Sequence, residues 1–450
     1  MVLIAFMQAQ NCTNYPGSWR HPQGIPDFLS AEHYMRIART LEEGKFHLAF
    51  FDDRLAMPDI FGEDHRLAVQ WGIRSVKMDP IPLMTAMGLA TTRLGIGGTC
   101  TTTYFEPFDV ARTFMTLDHM IGGRAAWNVV TSMNDSEARN MGVAEHPDHD
   151  LRYDRADEFV EIVLGHWQSW EDDALVVDTR PGGVFAQPDK VHRLDYRGRW
   201  YNSRGPFTVP RSKQGQPVII QAGQSGRGIR FAARWGELVF ASYKTLPQAR
   251  ALYRTLKDAV AAEGRNPDLV RIAPPVYPIV GETRAIAEEK RAFADSLARP
   301  EDALALLGEV LNIDFAKYGL DDPIGEAVLA NMTGQHAIRD RVVQVSGKAN
   351  PTPRDFIDVS RRGTIHEAPV FCGTPADVAD QMEEWYQGEG CDGFVVAATH
   401  RPGGYEEFAR LVVPELQRRG VFQKEYRGRT LRENLGLPPS VARGRPTMRH

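Results

Sequence analysis

The chain is expected to fold as an α/β protein, a (β/α)8 TIM barrel of parallel strands with large insertions. Three observations predict it. Short apolar runs alternate with helix-like segments along most of the 450 residues. Eight such runs can be counted, the number a (β/α)8 barrel needs and more than most open doubly wound sheets use. Polar side chains also gather where the runs end, which in a parallel barrel is the face that carries chemistry.

Taken in order, residues 2–7 read as the first strand, 31–43 as a helix and 47–51 as the second strand. Helical 82–90 leads to a strand at 94–101, and helical 108–120 leads to the strand at 125–131. That fourth strand follows the chain breaker Gly122-Gly123 and ends in polar residues, with Asn134 placed three before Glu137 as in a capping box. Residues 152–170 form the clearest helix, because Phe159, Val160, Val163, Leu164 and Trp167 share one face. The alternation breaks at 171–216, a Pro- and Gly-punctuated insertion with room for a hairpin. It resumes with strands at 218–222, 238–241 and 270–280, separated by helices at 225–235 and 247–263. Residues 282–369 are mixed: 285–297 and 302–310 are helical, whereas Lys348 to Pro353, with prolines at 351 and 353, cannot continue a helix. The last unit is a helix at 375–387, a strand at 393–397 and a helix at 405–419. We therefore read 1–450 as one barrel domain with insertions at about 54–79, 171–216 and 282–369. The Arg-, Gly- and Pro-rich tail, 420–450, is expected to wrap the surface or a neighbouring protomer, with 442–446 disordered.

Composition places the chain among packed globular proteins: 42% hydrophobic and 25% charged. A net charge of -5 with scattered Lys and Arg shows no nucleic-acid footprint. No apolar run approaches a membrane span, and the apolar opening lacks the basic start of a signal peptide, so neither nucleic acid nor membrane is expected as a partner and the cytoplasm is the expected compartment. Cys12, Cys100, Cys372 and Cys391 lie far apart with no C-x-x-C pair, as reduced core thiols would.

Three further constellations fall at strand or helix ends. Phe50-Phe51-Asp52-Asp53-Arg54 puts two acids at the end of the second strand; the bland alternative is that they pair with Arg54 or Arg93. His146 and His149 precede Tyr153, and a helix that has begun by His149 places it on one face with Tyr153. Read as metal ligands, His146, His149 and the nearby aspartates would make a barrel hydrolase, but the first strand leads into Gln8-Ala9-Gln10-Asn11 without the H-x-H pair such enzymes use. No metal is expected. Finally, the strand at 218–222 runs into Gly223-Gln224-Ser225-Gly226-Arg227-Gly228, small residues and free amides at a helix start that favour a phosphate, though neither a P-loop nor a dinucleotide fingerprint.

The run Gly-Gly-Arg-Ala-Ala-Trp-Asn-Val-Val-Thr-Ser at 122–132, the 149–158 segment and Gln221-Ala222-Gly223-x-Ser225 together resemble the flavin-dependent monooxygenases of the bacterial-luciferase superfamily. Within it, the resemblance is to the group of nitrilotriacetate monooxygenase component A, pristinamycin synthase and dibenzothiophene sulfone monooxygenase. It covers nearly the whole chain, and residues 27–42 look most similar to the sulfone enzyme. The resemblance implies FMN, bound in its reduced form FMNH2 and supplied by a separate NAD(P)H:flavin reductase, with O2 and a small organic molecule as substrates. It further implies cofactor binding by Asp53, Thr99, Asn128, His149, Tyr153 and Ser225, with Ser225 and Tyr153 at the phosphate. Asp52 replaces the family's usual Ala or Pro, which leaves open which carboxylate faces the flavin. No catalytic residue is assigned. Expected pocket walls are 8–19, the loop 55–79 with Phe61, Trp71 and Ile73, and 282–369. C–S cleavage of an organosulfur compound, as in a sulfone, is favoured over the same chemistry on an aminopolycarboxylate or on a halogenated or aromatic compound. A flavin-binding protein without turnover is the alternative from another class, and a homodimer or homotetramer is the expected assembly.

Overall fold

The structure, a computed structural model, describes residues 1–440 except Met133, 144–147, Gln224 and 333–335, and of His336 and Ala337 it describes only the backbone. His146 of the metal reading and the tail residues 442–446 therefore lie outside the described residues.

All eight expected strands form. They are β1 (Val2–Gln8), β2 (Leu48–Asp52), β3 (Gly95–Thr101), β4 (Ala125–Val130), β5 (Val218–Gln221), β6 (Leu238–Phe240), a seventh stave split at Pro274 into β7 (Arg271–Ala273) and β8 (Pro275–Val280), and β10 (Gly393–Val396). Every pairing in this sheet is parallel. Proline has no N–H to give the ladder, so the split falls where the stave changes partner: β7 pairs with β6, and β8 with β10. Because β10 also pairs with β1, the sheet closes into a barrel. An additional strand, β9 (Val370–Gly373), adds to the outer end of β8. It is four residues long behind Pro369 and has no alternation to reveal it.

Alternation within the staves sorts side chains into two layers. Val2, Ile4, Leu48, Phe50, Ala126, Val218, Ile220, Leu238 and Val395 fill the barrel interior. Leu3, Ala5, Ala49, Phe51, Ile96, Trp127, Val129 and Ile219 face outward to the helices. Trp127 is fully buried between Phe114 of α3 (Pro107–Met120) and Phe159 of α4 (His149–Trp167). The remaining helices over the strands include α1 (Ala31–Glu43), capped by Ser30, α2 (Pro80–Leu89), capped by Asp79, α5 (Gly226–Trp235) and α6 (Leu246–Ala262).

The 171–216 insertion carries the hairpin, Tyr196–Arg197 against Asn202–Ser203. Within residues 282–369, α8 (Pro300–Leu311) leads a small core of its own around Leu304, Leu307, Phe315, Ile324 and Phe356, whereas α7 (Arg284–Ser296) packs Ala294 with Tyr277 and Ile279 of β8. Phe61, Trp71 and Ile73, expected as pocket walls, instead pack against Ala305 and Leu306 of α8. The tail does more than wrap: the helix Leu431–Leu435 puts Leu431, Leu435 and Leu437 into the interior cluster at the end opposite the polar strand ends. No helix among the described residues is long and apolar enough to cross a membrane.

Candidate active site

At the C-terminal end of the barrel the interior layer turns from apolar to polar. Phe6, Phe50 and Phe240 form the last apolar layer, with Phe50 and Phe240 ring centroids 4.7 Å apart. One or two residues further on, the inward positions of four adjacent staves are Gln8, Asp52, Thr99 and Asn128. Gln8 is in register with Asp52 and Thr99 with Asn128. Asn128 Nδ2 donates to Thr99 Oγ1 at 2.8 Å, and Thr99 donates to the Phe51 carbonyl at 3.0 Å. Asp52 binds Lys77 Nζ at 2.6 Å. Gln8 is fully buried, yet both its amide atoms lack a hydrogen-bond partner among the described residues, and so does Asn128 Oδ1. Unpartnered buried amides are costly and mark a place where something else is bound.

The next residue outward on β2 is Asp53, which continues the outward set of Ala49 and Phe51. It accepts the Arg54 backbone N–H at 2.8 Å rather than pairing with the Arg54 guanidinium. Burial pushes its carboxyl up to about 6, with Asp52 and Asp79 adding to the rise and Lys77 opposing it. Asp53 and Thr99 line a cavity of about 480 Å3 whose apolar wall includes Leu55, Met57, Met78 and Ile81.

Tyr153, His149 and Ser225 form a second group. The α4 helix begins at His149, so His149 and Tyr153 do share a face, their rings 5.2 Å apart. Ser225 caps α5: its Oγ accepts the Gly228 N–H at 3.0 Å and lies 3.5 Å from His149 Nε2. The buried Tyr153 hydroxyl reaches the side chains of Thr131 and Ser225, and burial raises its pKa. Glycine is required at 223 and 228, because a Cβ there would come within 2.7 and 2.9 Å of the Tyr153 hydroxyl. A Cβ on Gly226 would meet nothing within 4 Å among the described residues, so the helix start is open on their side. Arg227 turns away from this opening to Asp154, at 3.0 Å, and Asp157.

The structure thus gathers the six expected residues in three places. Thr99 joins Asn128, Ser225 joins His149 and Tyr153, and Asp53 meets Thr99 across the cavity wall. Thr131, three residues beyond Asn128, links the first two places through Tyr153. Asn134 caps the next helix as expected, but Glu137 does not complete a capping box; its carboxylate accepts the Leu55 N–H at 3.2 Å and so ties the 54–79 loop to this end of β4. Sequence reading included Gln8 in the expected pocket wall 8–19 but not among the cofactor-binding residues; the signal that singles it out is its inward position at the end of an apolar strand. It also did not single out Arg74, in a loop without a period, or Glu309, in the helix expected at 302–310. Among the described residues no three His, Cys, Asp or Glu side chains gather to hold a metal ion.

Comparison with known proteins places this geometry. Residues 9–393 match the luciferase-like monooxygenase family. The chain is 43% identical over 450 residues to the dibenzothiophene-sulfone monooxygenase of Rhodococcus erythropolis, covering 99% of both chains. It is 36% identical over 426 residues to nitrilotriacetate monooxygenase component A of Aminobacter aminovorans, covering 94% of this chain and 93% of that one. Among solved structures, a riboflavin lyase crystallised with a modified FMN and riboflavin superposes with a TM-score of 0.88 at 31% identity, covering 98% and 96% of the two chains. The nitrilotriacetate relative is named as one component, A. The chain belongs to the luciferase-like monooxygenases and is a flavin-dependent oxidoreductase.

Proposed function

We propose that this protein is the oxygenase of a two-component system: it takes reduced FMN from a separate NAD(P)H:flavin reductase and uses O2 to oxidise a small organosulfur substrate, with sulfone-type C–S cleavage, in the cytoplasm. The observation that carries the cofactor reading is the set of unpartnered buried amides, Gln8 and Asn128 Oδ1, at the polar end of the barrel. These groups fit the donor and acceptor edges of a flavin ring. Ser225, Tyr153, His149 and the open start of α5 suit a dianionic phosphate, since free amides and the helix dipole favour negative charge there. Reduced FMN, when bound, supplies the electrons with which one oxygen atom enters the substrate and the other leaves as water.

The chain's own contribution is placement and exclusion of water. Leu55, Met57, Met78 and Ile81 give the substrate an apolar wall, and Asp53 and Thr99 give it a polar edge. The sulfone reading draws support from the 43% identity to the sulfone enzyme over the full length. Assembly into a homodimer or homotetramer draws support from the 171–216 insertion, where Val177, Val184 and Phe185 are 49%, 55% and 68% exposed on one hydrogen-bonded turn.

Ser225→Ala is expected to raise the dissociation constant for reduced FMN about tenfold or more, as loss of a hydrogen bond to a charged group does. Anaerobic fluorescence titration reads it, and an unchanged constant removes the phosphate assignment. The reaction itself is tested by a panel of sulfones incubated with added NADH:FMN reductase and followed by mass spectrometry. Oxygen insertion or released sulfite supports it; flavin binding with no oxygen-dependent product from any compound would reduce the protein to a flavin carrier.

A further inference from the structure

Three cations stand on the wall of the 480 Å3 cavity: Arg54, Arg74 and Lys77. Two of them have carboxylates. Lys77 binds Asp52, and Arg54 Nη2 lies 3.5 Å from Glu309 Oε2. Arg74 forms no ion pair among the described residues, although it is only 7% exposed. Its Nη2 donates to the carbonyl and side-chain oxygens of Asn14, both neutral, and its Nε has no partner.

The surroundings deepen this imbalance. Arg54 and Arg362 lie within electrostatic reach of Arg74; burial lowers the pKa of each, and the Arg74 charge lowers it further. Among the described residues each of the two also keeps one N–H without a partner, Nη1 of Arg54 and Nε of Arg362, although Arg362 has an ion pair with Glu367. Arg74 itself is held at a left-handed φ of 49°, two residues after Gly72 at 63°, a backbone conformation that a side chain takes only when the surrounding loop enforces it. Guanidinium cannot shed its proton, so a buried one without a counter-charge is expensive wherever it has no ligand. The acids lining the same cavity form no ion pair with Arg74: Asp53 has Lys77, Asp52 and Asp79 among its charged neighbours, Asp79 caps α2, and Asp109 lies in the first turn of α3.

We propose that Arg74, flanked by Arg54 and Arg362, binds an anionic group of the substrate, so that the enzyme acts on organic anions carrying a carboxylate, sulfinate or sulfonate and not on neutral sulfones alone. This rests on the reading of the cavity as the substrate site. The apolar part of such a molecule lies along Leu55, Met57 and Met78, and its charged end at Arg74. A planar guanidinium offers an oxyanion two parallel N–H donors, which supplies direction as well as charge.

Calorimetric titration of the full-length protein with benzenesulfonate and with methyl phenyl sulfone, its neutral counterpart, tests this directly. Benzenesulfonate is expected to bind about tenfold tighter or more, the worth of a charge-assisted pair. Arg74→Gln should remove that preference while leaving the sulfone's affinity and FMN affinity unchanged, and Arg74→Lys should keep part of it. Equal affinity of the two probes for the wild type, no benzenesulfonate binding, or a preference that survives in Arg74→Gln would overturn the proposal. Loss of FMN affinity in Arg74→Gln with the sulfonate preference intact would also overturn it and assign Arg74 to the cofactor. Should Arg74→Gln fail to fold by circular dichroism, the wild-type comparison and Arg74→Lys still decide. Failure of the flavin reading is separable, because FMN titration of the wild type is silent while the sulfonate preference persists.

Discussion

Asp52 and Asp53 are adjacent in the chain and have opposite surroundings, because a strand turns successive side chains to opposite faces. Asp52 enters the barrel mouth and is neutralised by Lys77; Asp53 enters the cavity, is desolvated, and titrates at about 6. Its folded pKa lies above the ordinary 3.8, so the folded protein holds the proton more tightly than the unfolded chain does. The stability this confers is fully present below about pH 3.8 and is lost as pH rises through about 6. Asp53→Asn is therefore expected to be more stable than the wild type at pH 7.5, with the advantage gone at pH 4, as urea denaturation at the two pH values would show. The same substitution should erase any transition near pH 6 in the pH profile of kcat/KM; a transition that persists would belong to another group, Asp118 being buried with a similar value. The strand was legible beforehand, but not which acid turns inward, since Leu48, Ala49, Phe50 and Phe51 are all apolar and do not sort its faces. Arg74 was not: it lies in an aperiodic loop, where nothing local says which way a side chain points.

Elements show the same division. The strands and the helices over them could be read because apolar spacing of two or of three to four repeats often enough to be recognised. The insertions could be located but not oriented. Phe61 and Trp71 were expected at the pocket because they are large and apolar, but such residues pack equally well against any apolar partner, and α8 offers one. What fixes the 54–79 loop is polar. Glu309 of α8, fully buried, accepts the N–H groups of Asp59 and Ile60 at 2.9 and 3.1 Å and the Asn134 amide at 2.7 Å, and faces Arg54. One carboxylate thus joins a loop, an insertion helix and the segment after β4. Glu309→Gln keeps the shape but removes the charge, leaving Arg54 buried without its counter-ion. Limited proteolysis should then cut within 54–64 faster than in the wild type, while circular dichroism shows the barrel intact. Cleavage at an unchanged rate would mean that the apolar contacts of Phe61 and Ile73 hold the loop by themselves.

For the whole molecule, the barrel has two differently closed ends. One end is a polar layer with unpartnered amides; the other is filled by Leu431, Leu435 and Leu437. The tail's composition concealed this, as its Arg, Gly and Pro content reads as surface, although leucines at 431 and 435 have the spacing of a helix face. Arg432 holds the plug in place with two contacts to Glu237, at 2.6 and 2.7 Å, and is itself only 3% exposed. Arg432→Ala leaves Glu237 without its partner and is expected to cost about 3–5 kcal/mol, the usual penalty for breaking a buried pair. A lower urea midpoint at unchanged slope checks it; a midpoint within error of the wild type would show that the leucines alone seal the end. Since this plug follows β1 by more than 400 residues, a ribosome adding about 5–20 residues per second leaves the barrel floor open for tens of seconds. Val2, Ile4 and Leu48 then lack the cover of Leu431, Leu435 and Leu437 until the plug is made.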